Sequence, residues 1–161
     1  MTTTTLATIG YEGATIADFV ATLLAADVRQ LIDVRELPIS RRRGFAKTAL
    51  SAAVTAAGIS YVHLRGLGDP KEGREAARAS DIPKFMRIFT AHMKTEPAQA
   101  DLVRAVELAS QGGACLMCYE RSHTECHRNL VADAISSKLP VSVRHLGVRH
   151  GIAGTSGKAI L

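Results

Sequence analysis

Between Cys118 and Arg128 the chain reads CYERSHTECHR, with two cysteines, two histidines, two glutamates and two arginines in eleven residues. These residue types can hold a metal, present a reactive thiol, move protons or grip an anion, and their spacing bears on each. Cys115 and Cys118 form a C-x-x-C, a spacing found in zinc sites, which need four converging ligands. The residues between them are Leu116 and Met117, inside the apolar run ACLMCY. In a strand, residues three apart face opposite ways and lie about 10 Å apart along the chain, so Cys115 reads as a core residue. A smaller set of Cys118, His123, Cys126 and His127 is the remaining metal option, but adjacent helical residues such as 126 and 127 diverge by about 100°. No metal ligand is assigned and no cofactor is expected.

The thiols have their own reading. Cys126 falls in the first turn of an expected helix with Thr124 as its cap, where backbone N–H groups, the helix dipole, His127 and Arg128 all favour a thiolate. Cys118 sits where a strand opens into a loop. For proton transfer, Glu120, Glu12 and Asp33 are the carboxylates that adjacent strand ends can bring together. The candidate catalytic set is therefore Glu120, Cys126, Cys118, Glu12 and Asp33, although Asp33 can equally hold Arg35 in a structural salt bridge. For anion binding, the helix start at a sheet edge supplies N–H groups and arginines supply bidentate contacts. The candidate substrate-binding set is Tyr11, Arg35, Arg41, Arg42, Arg43, His127 and Arg128. Neither G-x-G-x-x-G nor G-x-x-x-x-G-K-[ST] occurs, so no glycine-rich phosphate cradle is encoded.

The elements that must position these residues follow from hydrophobic periodicity. LATIGY, QLIDVR, ISYVHL, ACLMCY and VSVRHLGV read as strands. Between them run helical stripes. The first carries Ile16, Phe19, Val20, Leu23 and Leu24 behind a Thr15 cap with Asp18 three residues on. The second carries Leu50 and Val54 and closes at Gly58. The third carries Ile82, Phe85, Met86, Phe89 and Met93. Pro97 opens a fourth that ends at Gly112-Gly113, and ECHRNLVADAISSKL is the fifth. The polar excursion RGLGDPKEGREAARASD has no stripe, and its 66–81 stretch could be a lid. Strands alternating with helices imply right-handed crossovers and a mostly parallel sheet of about five strands, an α/β three-layer sandwich. In such sheets ligands bind at the carboxyl ends of the strands. Tyr11 and Glu12, Asp33 and Arg35, His63 and Arg65, Cys118 and Glu120, and His145 all fall there.

Length and composition fit this architecture. The 161 residues suit one domain, taken as 1–161, with an ordered core about 6–150 and a tail at 151–161. Trp is absent and aromatics make up 4%, which weakens any base-stacking platform, while the net charge of +5 points toward an anionic partner. Three cysteines do not make a disulfide scaffold. No apolar run approaches the roughly 20 residues of a membrane span, and the first residues lack the pattern of a signal peptide, so a cytoplasmic location is expected.

TIGYEG, IDVRELPISRRRGF, GISYVHLRGLG and CYERSHTECHR occur in this order, and together they resemble the bacterial family catalogued as domain of unknown function 488. The resemblance runs from Thr8 to about Val148. It implies a compact Rossmann-like α/β fold and a cytoplasmic setting, and gives no substrate. The matching positions are Gly10, Tyr11, Glu12, Gly13, Asp33, Arg35, Pro38, Ser40, Phe45, Gly68, Cys118, Glu120, Cys126, His127 and Arg128. Ser122-His123-Thr124 stands where a more acidic or proline-containing turn is expected, so His123 is not carried over. LIDVRE also looks like the opening of rhodanese-type sulfurtransferases. The stretch after Cys118, YERSHT, lacks the glycine and the arginine spacing of their catalytic loop, so that reading is rejected.

Two functions are therefore carried forward. The first is an enzyme binding a nucleotide, a nucleic acid or another phosphorylated molecule at the carboxyl edge through the Cys/Glu/His/Arg cluster. The second is a non-catalytic nucleic-acid- or protein-binding module using the basic loop, with a possible structural metal. The first expects one deep pocket where Glu12, Asp33, Glu120 and Arg128 converge, and the second a broad basic surface.

Overall fold

The structure, a computed structural model, describes residues 4–122 and 126–154. Five strands, β1 (Thr4–Gly10), β2 (Gln30–Asp33), β3 (Ser60–His63), β4 (Ala114–Cys118) and β5 (Val141–Leu146), form one sheet in the order β3-β2-β4-β1-β5. Every pairing is parallel, with Gly10 opposite Cys118 and Asp33 opposite Met117 in register. β4 is buried throughout, as its continuous apolar run requires of a central strand covered on both faces. β5 lies at an edge and is largely exposed at its polar residues.

Helices α1 (Ile16–Ala25) and α2 (Lys47–Ala56) cover one face of the sheet. Phe19, Leu23, Leu50 and Val54 pack there with Ile9, Leu31, Cys115 and Met117. Helices α3 (Lys71–Arg78), α4 (Ile82–Met93), α5 (Glu96–Ser110) and α6 (Arg128–Ser136) cover the other, where Phe85, Phe89, Leu102, Val131 and Ile135 meet Leu6, Ile32, Leu116 and Cys118. The result is a three-layer α/β sandwich with a Rossmann-like parallel sheet. Thr15 caps α1 by accepting the Asp18 N–H, as its spacing predicts.

The order of strands has a consequence for function. The chain leaves β1 and β2 toward the α1–α2 layer, and leaves β3 and β4 toward the α3–α6 layer. β4 lies between β1 and β2, so at its carboxyl end neighbouring connections part to opposite faces. That parting opens the crevice where ligands of open α/β sheets bind.

Three local features differ from the sequence expectation. The polar excursion is not a bare loop. It forms a 3-10 turn (Arg65–Leu67) and then α3, packed against α4. Within α3 only Gly73 and Ala76 are buried, too little apolar surface for a stripe to be read. The last helix starts at Arg128, so Cys126 and His127 lie in the turn before it. The Cys126 carbonyl accepts from the Asn129 N–H at 3.3 Å, and the Arg128 N–H points to Cys126 Sγ at 3.5 Å. Finally, the described part of the tail is tied down. The Asp18 carboxylate accepts the Gly151 and Ala153 N–H groups at 2.9 and 3.0 Å, and Ile152 is buried. Thr124 and His123, with Glu125, lie outside the described residues.

Candidate active site at the carboxyl edge of the sheet

The candidate residues gather at the carboxyl edge and then divide between the two faces of the sheet. Alternation along β2 and β4 causes the division, because successive side chains point to opposite faces.

On the α1–α2 face, Asp33 and Arg35 are spent on each other. Arg35 Nε and Nη2 donate to the Asp33 carboxylate at 2.9 and 2.7 Å, and Nη1 donates to the Phe45 carbonyl at 2.7 Å and to the Tyr11 hydroxyl at 3.3 Å. The Tyr61 hydroxyl also donates to Asp33. Asp33, Arg35 and Tyr11 are buried, and the Tyr11 ring stacks on Phe45 with centroids 4.5 Å apart. Asp33 holds the guanidinium in its charged form against burial, and burial together with Asp33 pushes the Tyr61 hydroxyl up. This network pins the loop after β2. It presents neither a free carboxylate nor an open anion grip.

On the α3–α6 face lie Cys118, Glu120, Cys126, His127 and Arg128. The sulfurs of Cys118 and Cys126 are paired, across a Cα–Cα distance of 7.5 Å. Cys115 is free and buried on the opposite face, and burial raises its thiol pKa. The C-x-x-C is therefore split by the sheet, as strand geometry predicts.

Arg128 is fully buried. Its Nη1 donates to the Glu120 carbonyl and reaches Cys118 Sγ at 3.4 Å, and its Nη2 donates to the Arg121 carbonyl at 3.2 Å. Its Nε is buried without a partner among the described residues. The guanidinium thus fastens the turn after β4 to the helix that follows, and burial lowers its pKa. His127 Nε2 meets the Val34 carbonyl at 2.7 Å, and its Nδ1 lies 3.7 Å from Cys126 Sγ. A carbonyl only accepts, so Nε2 carries the proton and Nδ1 presents its lone pair toward the sulfurs. Burial holds the imidazole pKa down at about 4, so it is neutral at physiological pH.

Glu120 Oε2 lies 3.6 Å from Cys118 Sγ, and burial raises its carboxyl pKa while Arg128 opposes the rise. Glu12 joins from the turn after β1. Its exposed carboxylate accepts the Arg121 N–H at 3.0 Å, and its own N–H reaches the Tyr119 carbonyl at 2.8 Å. Gly10 makes the approach possible, since a Cβ there would sit 1.7 Å from the Glu120 carbonyl oxygen. The Arg41–Arg43 loop is exposed above the β1–α1 connection, and Arg42 Nε donates to the Ala14 carbonyl.

Asp69 is absent from the sequence-derived set. It opens the way into α3, is buried, and has Oδ1 without a partner among the described residues. Burial raises its pKa to about 7, Glu120 and Glu36 push the same way, and Arg74 opposes them. Arg74 in turn bridges the Asp69 carbonyl and Glu36 at 2.7 and 2.8 Å. A Cβ at Gly68 would meet the Glu36 backbone at 2.4 Å, so the glycine lets this segment lie against the loop after β2. The only sequence signal for Asp69 is its place in GLGDP, between a glycine and a proline.

Glu12, Glu120 and Arg128 therefore meet around the end of β4, but Asp33 lies across the sheet from them, so the four do not converge in one pocket as the enzyme reading expected. Two surface cavities of about 650 and 600 Å³ lie elsewhere. The first is at the amino edge, lined by Thr5, Arg29, Gly113 and Arg144, and the second runs along α2.

Fold and site together define a three-layer α/β protein whose ionisable cluster sits at the switch point of a parallel sheet. The model of the family described as "Domain of unknown function DUF488" matches residues 15–135, most of the chain, and the chain belongs to that family. No curated protein and no solved structure matches it. No helix among the described residues is long and apolar enough to cross a membrane.

Proposed function

We propose that this chain is an enzyme binding an anionic substrate, a nucleotide, nucleic acid or other phosphorylated molecule, around the carboxyl end of β4. One observation carries the reading. Glu120, His127 and Arg128, beside two sulfurs at the end of β4, are all displaced from their ordinary protonation ranges, and so is Asp69, whose carboxyl couples to Glu120. Such concentrations of perturbed groups are a recurrent feature of sites of chemistry. Asp69, near half-protonated at neutral pH, can give or take a proton, and Glu120 is the second proton-transfer group. Arg128 and His127 position the sulfurs and the turn rather than touching substrate, because both are buried and Arg128 Nη1 and Nη2 and His127 Nε2 are engaged with backbone carbonyls. Anion contacts then fall to the exposed Arg41, Arg42 and Arg43, and to Arg121, which is exposed while its Nη1 donates to the Val148 carbonyl at 3.0 Å. The Cys118–Cys126 pair would open to two thiols in a reducing cytoplasm, the proposed setting.

A thermal-shift screen with nucleotides, oligonucleotides and sugar phosphates, followed by turnover assays on the hits, tests this. The expected result is a ligand that stabilises the wild type, loses binding in R41A/R42A/R43A, and still binds E120Q with turnover down about 100-fold.

One observation favours the second reading, a non-catalytic docking module. Ile39 is 70% and Leu37 45% exposed, beside the arginine triplet. A partner that binds through this loop, is not turned over, and is indifferent to E120Q supports the module over the enzyme.

A further inference from the structure

We propose that Cys118, Cys126 and His127 form a binding site for a zinc-type divalent metal ion, with a coordination position left open on the Glu120 side. The inference concerns the same strand end and rests on reading it as a functional site.

Four observations converge. The ligand atoms of the three residues lie within 4.8 Å of one another, and all three residues are buried. The backbone frame is wide, because a directly bonded cysteine pair has Cα atoms about 4.4–6.8 Å apart and here they are 7.5 Å apart. Two thiolates sharing one zinc ion stand about 3.8 Å apart at Zn–S distances of 2.3 Å, and the wide frame has room for that separation. His127 has the arrangement of a metal-ligating imidazole. Nε2 donates to the Val34 carbonyl at 2.7 Å, and Nδ1 faces the sulfurs, 3.7 Å from Cys126 Sγ. A tetrahedral S–Zn–N edge is about 3.6 Å, and a backbone carbonyl on the far nitrogen is the usual partner that fixes the ring. Each sulfur also receives one N–H, Cys118 from Arg128 Nη1 at 3.4 Å and Cys126 from the Arg128 backbone at 3.5 Å. Such donors commonly steady metal-bound thiolates.

The spacing objection falls away as well. Cys126 and His127 are adjacent, but they sit in the turn before α6, where the 100° divergence of helical neighbours does not apply. Two sulfurs and one imidazole nitrogen suit zinc among the common divalent ions. Three protein ligands leave one position for water or substrate, the composition of a catalytic rather than a structural zinc site. Glu120, 3.6 Å from Cys118 Sγ, stands beside that position. The two thiolate charges balance the ion, so the site closes electrostatically without another residue.

The test uses the full chain, expressed with zinc in the medium and purified under reducing conditions without chelator. Elemental analysis is expected to give close to one zinc per chain, falling at least tenfold in C118S, C126S and H127A. C115A, across the sheet, is expected to keep its zinc. Cobalt exchanged into the wild type is expected to give thiolate charge-transfer bands and the intense visible bands of a four-coordinate ion, a readout that needs no variant to fold. Wild-type protein free of zinc and unable to take up cobalt, with Cys118 and Cys126 recovered as a covalent pair or as free thiols, overturns the proposal. If the protein binds and turns over an anionic ligand while free of metal, the metal site fails and the enzyme reading stands. Metal at full stoichiometry without any ligand binding has the opposite meaning.

Discussion

Replacing Asp69 with Asn should make the protein more stable at alkaline pH and leave it nearly unchanged in acid. Asp69 is buried with one carboxylate oxygen unpartnered among the described residues, and its pKa stands at about 7 against an ordinary 3.8. Glu120 and Glu36 add to the burial, and Arg74 relieves part of it. Because the folded state holds this proton more tightly than the unfolded chain, folding stability falls as pH rises from about 4 to about 7, then levels off. The full displacement of roughly three units corresponds to about 4 kcal/mol. Buried charges respond as if in a medium of higher dielectric than dry protein, so about 2 kcal/mol is the expected difference at pH 8. Asn is nearly isosteric and stays neutral. The two proteins should therefore unfold alike near pH 4, and the variant should melt roughly 4–8 °C higher at pH 8. Urea or thermal unfolding in half-unit pH steps measures the difference. A pH-independent difference, or a variant less stable at pH 8, would refute the assignment of a neutral buried carboxyl at position 69 and with it the proton-transfer role.

Other substitutions separate holding from chemistry. Asp33→Ala leaves the Arg35 guanidinium buried without its carboxylate and should cost about 3 kcal/mol in urea unfolding. Tyr61→Phe, removing one donor to Asp33, should cost about 1 kcal/mol by the same measurement. Gly10→Ala places a Cβ 1.7 Å from the Glu120 carbonyl, so the turn after β4 must move, and a loss of about 2 kcal/mol should accompany changed amide chemical shifts at residues 118–121. Cys115→Ala should cost about 1 kcal/mol and leave the reactivity of Cys118 and Cys126 toward thiol reagents unchanged, because its side chain is on the other face.

The sequence reveals most of the sheet and part of the site, for identifiable reasons. ACLMCY is a continuous apolar run and QLIDVR is nearly one, and such runs belong to strands buried on both faces, so the parallel sheet follows. Alternation alone separates Cys115 from Cys118. What single residues do not reveal is which face a loop residue turns to. Alternation turns Asp33, the last residue of β2, into the α1–α2 layer, where Arg35 and Tyr61 hold it, but Glu120 follows β4, and Arg128 holds its turn on the opposite side. Helix α3 is hidden because its packing rests on Gly73 and Ala76, which carry almost no hydrophobic signal. Asp69 is hidden with it, since its burial depends on Gly68 lying against the Glu36 backbone, a contact between segments distant in sequence.

The central claim is that ligand chemistry occurs at the end of β4, where the connections of neighbouring strands part to opposite faces. Hydrogen exchange of the protein with its most stabilising anionic ligand tests that directly. The account predicts slowed exchange in residues 10–13, 36–45 and 118–122. Protection confined to the amino-edge cavity lined by Thr5, Arg29, Gly113 and Arg144 would contradict it.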